Sequence, residues 1–122
     1  MESNRCNFEQ SKALKALGYN VPVHNWFDVE GKAFVSDNGT THANDRHNHI
    51  SRPAIQDAIR FFRVEKGYHG YLVPDEFKRW RYGIARTDGV IIQMVADNYS
   101  CAEYDSCESD LLNRLIDISN QG

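Results

Sequence analysis

The spacing of apolar and polar residues changes period several times along the chain, and each change marks an element. Asn7 followed three places later by Gln10 has the form of a capping box, and Gly18 is a stop signal, so a first helix is expected from Phe8 to about Leu17. Its stripe is Ala13, Leu14 and Leu17, with Lys12 and Lys15 outside. Val21, Val23, Phe27 and Val29 then alternate, and Glu30-Gly31-Lys32 makes a turn into Ala33 to Ser36, which predicts a short hairpin. Residues 37–49 have no apolar period and are rich in Asn, Asp, Thr and His, the pattern of an exposed loop. Ser51 as a cap and Pro53 in the first turn open a second helix, whose face is Ile55, Ala58, Ile59 and Phe62 and whose end is Gly67. Tyr68 to Val73 reads as a short strand, and Pro74-Asp75-Glu76 as a turn. Ser100 and Glu103 form an S-x-x-E box before a third helix ending near Ser119, with Cys107, Leu111, Leu115 and Ile118 as its apolar stripe.

Between these lies the most informative stretch, Phe77 to Ala96, which reads as one hairpin. A two-residue Asp88-Gly89 turn would oppose Tyr82 to Val95 and Ile84 to Gln93, mixing apolar and polar residues on both faces. A three-residue Thr87-Asp88-Gly89 loop with Gly89 as a bulge opposes Arg86 to Val90, Ile84 to Ile92, Tyr82 to Met94 and Trp80 to Ala96. That register is the expected one because it sorts the faces. Trp80, Tyr82, Ile84, Val90, Ile92 and Met94 fall on one side, and Arg79, Arg81, Gly83, Ala85, Ile91, Gln93 and Val95 on the other.

The element order is thus helix, two strands, helix, three strands, helix, without the regular alternation that builds a parallel sheet. This predicts an α+β fold, an antiparallel sheet carrying its helices on one face, in a single domain spanning 1–122. With 41% hydrophobic and 25% charged residues the composition is that of an ordinary globular chain. No apolar run is long enough for a bilayer and the N-terminus lacks the regions of a signal peptide, so a cytoplasmic protein with no membrane partner is expected. The three cysteines, Cys6, Cys101 and Cys107, fit reduced thiols rather than a disulfide framework. Cys101 and Cys107, six apart on the expected helix, would point in different directions. A net charge of −3 gives no general attraction for nucleic acid.

Candidate chemistry is sparse. His42, Asp45, His47 and His49 carry metal-ligand groups, but their spacing matches no defined zinc pattern and no second cluster completes it, so neither a metal nor another cofactor is assigned. No serine or cysteine sits in a nucleophile elbow, and no phosphate-cradling glycine motif occurs. The strongest surface signal is Lys78-Arg79-Trp80-Arg81-Tyr82. On a strand its aromatics and cations part to opposite faces, which argues against a stacking platform for single-stranded nucleic acid. Arg79 and Arg81 together, with Gln93 beside them and Arg60 or Arg63 as contributors, would suit a carboxylate or phosphate. Gly83 and Ala85 would leave room for its approach. Ile91 and Val95 on the same face favour a covered surface, as in a homo-oligomer built sheet to sheet.

Three segments carry a family resemblance. SKALKALGYNVP at Ser11 to Pro22, ISRPAIQDAIRFFRVEKGYHGYLV at Ile50 to Val73 and the closing LLNRLIDI resemble a family of small uncharacterised proteins from phages and mobile elements of Bacteroides-like gut bacteria. Ser51, Pro53, Ala58, Arg60, Phe62 and Arg63 fit its helix pattern, whereas Gln56 falls one residue from the family's glutamine, and residues 37–48 depart from it. The resemblance covers about half the chain and brings no catalytic residues. It implies an accessory protein acting in a bacterial host cytoplasm. The resulting expectation is a non-enzymatic protein that binds a host protein, or an anionic small molecule such as a signalling nucleotide, and so inhibits host defence. A small metal-dependent hydrolase using the His-rich loop is the first alternative, a structural homo-oligomer the second.

Overall fold

In the computed structural model the chain is described over residues 4–36, 39–74, 79–88 and 91–121; for 87, 88, 91–100 and 121 only the backbone is. The expected Asp75-Glu76 turn, Lys78 and the Gly89 bulge therefore lie outside the described residues. The fold class is α+β, with three helices and two antiparallel three-stranded sheets in place of one sheet. The 1–122 domain resolves into two compact units, 1–54 and 55–122.

The first unit holds α1 (Phe8–Ala16), β1 (Asn25–Asp28), β2 (Ala33–Val35) and β3 (His49–Ser51), in the sheet order β2-β1-β3. The capping box forms as the sequence predicts: Gln10 N–H donates to Asn7 Oδ1 at 2.8 Å and Asn7 N–H to Gln10 Oε1 at 3.0 Å. Leu14, Val23, Phe27 and Ile50 are buried, and the Phe8 ring meets Phe27 edge-on at 5.4 Å. Asp28 shapes the turn into β2 by accepting from the N–H groups of Glu30 and Lys32.

The exposed loop expected at 37–49 is instead partly structural. Thr41 bridges to Val23, a 3-10 turn spans Ala43–Asp45 with Ala43 fully buried, and the segment ends in β3. Ser51 pairs with Trp26 in that strand rather than capping a helix. The competing force is a set of polar clips onto backbone. Asn44 donates to the Tyr19 carbonyl at 2.8 Å and accepts from Ser51 N–H at 2.7 Å, and Lys15 Nζ reaches the carbonyls of Arg46 and His49. Such bonds lie between residues far apart in sequence, where periodicity carries no signal.

The second unit holds α2 (Ile55–Phe61), β4 (Tyr68–Pro74), β5 (Trp80–Asp88), β6 (Ile91–Cys101) and α3 (Tyr104–Gln121). A π turn, Phe62–Lys66, prolongs α2 to Gly67, whose φ of 75° is the left-handed stop expected there. In the sheet, β5 lies between β4 and β6. Near the loop its register with β6 is Asp88–Ile91, Thr87–Ile92, Arg86–Gln93 and Ala85–Met94. This overturns the expected pairs of Arg86 with Val90 and Ile84 with Ile92. By Trp80–Cys101 the register has shifted by two residues, and both shifts add a residue to β6 while β5 alternates regularly. Those bulges carry β6 through Ser100 to Cys101, so the Ser100 cap is lost and α3 begins three residues beyond Cys101. Cys101 consequently sits in a strand, not on the helix.

Helix α3 covers one face of this sheet. Cys107, Leu111, Leu112 and Leu115 are fully buried, as are Ile84 and, nearly, Tyr82. Gly70 of β4, opposite Ile84, is where the helix comes closest: a Cβ there would stand 3.0 Å from Leu111 Cδ1 and 3.2 Å from Leu115 Cδ1. Even a methyl group at that position would require the Leu111 and Leu115 side chains to give way by a few tenths of an ångström.

Candidate binding face of the second sheet

Strand alternation sets the other face. With Gly70, Tyr82 and Ile84 turned to α3, the residues at His69, Tyr71 and Val73 of β4 and Arg81, Gly83 and Ala85 of β5 share the side away from it. His69, Tyr71, Val73 and Arg81 are exposed, Tyr71 at 36% and Val73 at 39%. The pairs are direct: His69 with Ala85, Tyr71 with Gly83, Val73 with Arg81. As the sequence predicts, Tyr82 is buried and Arg81 exposed.

Gly83 does not leave room for a ligand. A Cβ built there would overlap the Tyr71 hydroxyl, so the Tyr71 ring lies across the glycine and fills the gap. An aromatic laid over a cross-strand glycine replaces the missing side-chain packing and fixes the ring on the surface. The face is therefore a small raised patch, Tyr71 and Val73 flanked by Arg81 and His69, and not a cleft.

The five residues proposed from sequence do not converge. Arg81 is on the open face. Arg79 directly precedes β5, beside Trp80, whose carbonyl accepts from Cys107 of α3, and its charge favours that thiol's ionised form. The backbone of Gln93 opposes Arg86, five positions along β5 from Arg81 or roughly 17 Å at strand rise; its side chain lies outside the described residues, as do those of Ile91 and Val95. Arg60 and Arg63 are exposed on α2 and its π turn, and α2 packs against α3, so they belong to the helical layer. The β4 residues were missed because TyrHisGlyTyrLeuVal is read as uniformly aromatic and apolar until its register with Arg81 divides it.

The His-rich segment separates as well. His49 stacks on Trp26, ring centroids 3.8 Å apart, and Trp26 stacks on Phe34 at 4.4 Å, giving a three-ring row across the first sheet. Burial, then the charges of Arg46 and Lys15, hold the His49 imidazole below its ordinary range against the opposing pull of Asp28. Asp45 is taken up in the 3-10 turn. Among the described residues no three His, Cys, Asp or Glu side chains gather so as to hold a metal ion. On the helical side, burial and the neighbouring Glu108 charge raise the Tyr104 phenol, whose ring meets Trp80 edge-on at 4.8 Å.

No family model, curated protein or solved structure matches the chain. Among the described residues no helix is long and apolar enough to cross a membrane.

Proposed function

We propose that this chain is a non-enzymatic binding protein whose open β4–β5 face, Tyr71, Val73 and Arg81, docks onto another protein. The observation that carries the reading is an aromatic ring held on the surface by Gly83, beside an exposed valine and arginine. Tyrosine and arginine are the residue types that dominate protein interfaces, because each offers large contact area with a polar end. A raised patch fits a partner pocket of apolar floor and acidic rim. The family resemblance makes the partner a bacterial host protein in the cytoplasm, and inhibition of host defence the consequence of binding it.

The test is quantitative capture from bacterial lysate with wild type, Tyr71→Ala/Arg81→Glu and Arg60→Glu/Arg63→Glu. Proteins retained by wild type and by the Arg60/Arg63 variant, yet lost from the Tyr71/Arg81 variant, support the face. Loss from the Arg60/Arg63 variant alone moves the site to α2. Light scattering of the purified chain distinguishes self-association through the same patch.

A further inference from the structure

The end of β6 and the start of α3 bring two thiols together. Cys101 stands opposite Trp80 in the β5–β6 register, and Cys107 Sγ donates to the Trp80 carbonyl oxygen at 3.6 Å. Both sulfurs are thus gathered at one backbone position. Cys101 Sγ also donates to Asp110 Oδ2 at 3.8 Å, one turn beyond Cys107 along α3, so both thiols lie between the end of β6 and the first turns of α3. None of the three cysteines is in a disulfide, and Cys6 belongs to the other compact unit.

We propose that Cys101 and Cys107 form a reversible oxidation site, closing to an intrachain disulfide when a small disulfide such as glutathione disulfide is the oxidant. Cys101 meets the oxidant, because it keeps 9% of its surface exposed while Cys107 is fully buried. The Cys101 proton passes to the Asp110 carboxylate and on to water. The thiolate attacks one sulfur of glutathione disulfide, whose S–S bond breaks and whose departing thiolate takes up a proton. Cys107 then releases its proton to water, and its sulfur attacks Cys101 in the mixed disulfide, expelling the second glutathione thiolate, which is protonated in turn. Two protein thiols lose two electrons and one glutathione disulfide becomes two glutathiones.

The surroundings order these steps. Burial above all, then the adjoining Cys101, push the Cys107 thiol up to about 12, with Arg79 opposing, so Cys107 stays protonated and the more exposed Cys101 reacts first. The inference is independent of the docking face, which lies on the other side of the sheet.

Reduced full-length protein is incubated with glutathione disulfide, unfolded, alkylated and cleaved after Glu103, which lies between the two cysteines. The expected product has lost two hydrogens, joins the fragment bearing Cys101 to the one bearing Cys107, carries the alkyl group on Cys6 only, and reverts with dithiothreitol. Cys107→Ser is expected to stop at a stable glutathione adduct on Cys101. Cross-links through Cys6, an unresolved adduct in the wild type, or alkylation of all three cysteines after exposure would overturn the assignment. The wild-type fragment map decides the matter even if the serine variant folds poorly.

Discussion

In residues 1–54, strands of three or four residues are tied down by Asn44, Lys15 and Arg52 bonding to backbone, whereas in residues 55–122 strands of seven to eleven residues lie under the 18-residue α3. Short strands bury little apolar surface per residue, so the first unit relies on directed bonds that saturate specific backbone groups. The second buries a continuous leucine stripe. Its stability is spread over many contacts, and one face of its sheet needs no covering. A surface for binding is therefore available on the second unit without loss of core.

This contrast predicts graded responses to substitution. Leu111→Ala removes a fully buried side chain over Gly70 and should cost about 2–5 kcal/mol, read as faster hydrogen exchange throughout β4, β5 and α3. Asn44→Ala leaves the Tyr19 carbonyl and Ser51 N–H without their partner and should cost about 1–3 kcal/mol, read as exchange confined to residues 4–54. If Asn44→Ala left exchange in β3 unchanged, the polar clips would not be what holds the first sheet. Asn7→Ala, which opens the capping box, should cost about 1 kcal/mol and expose the first turn of α1.

How much of this was legible differs between the units for the same physical reason. The Asn7–Gln10 box, the Gly18 and Gly67 stops and the Glu30-Gly31-Lys32 turn follow from local chemistry and are present in the fold, as are Cys107, Leu111 and Leu115 of the α3 stripe; Ile118 is half-buried, and Leu112 and Ile116 complete the buried face instead. Within β5, Tyr82 and Ile84 face α3 and Arg81 faces away, as the alternation predicts, because β5 gains no extra residue at either bulge. What escaped reading depended on partners distant in sequence. Asn44, in a polar loop without apolar period, anchors β3; the register at the hairpin end places Gln93 opposite Arg86, and two bulges further along β6 bring Cys101 opposite Trp80, beside Cys107. A bulge costs a strand little and leaves no composition signal when its flanks are polar, as Asp97, Asn98 and Ser100 are. The candidate site shared this fate: Arg81 was visible, and Tyr71 and Val73 emerged only through register.

Two smaller effects sharpen the comparison. His49 is held below its ordinary range in the fold, so the unfolded chain takes up its proton first as pH falls. Its contribution to the first unit is present above the unfolded value of about 6.5 and is lost as pH drops through the lower folded value. Hydrogen exchange in β1 and β3 should accelerate over that window, and His49→Gln should remove the acceleration; an equal acid response in α3 would contradict the assignment. Gly83→Ala must displace the Tyr71 ring, which can swing outward, so stability should change by less than about 1 kcal/mol while the exposed patch loses its shape.

The open face itself is tested most directly by hydroxyl-radical footprinting of the chain alone and in complex with its captured partner. The account predicts protection of His69, Tyr71 and Val73, with Trp26 and Phe34 labelled equally in both states. Protection of the Trp26 row, or of Arg63 and Lys66 on the π turn after α2, with Tyr71 unchanged, would contradict it.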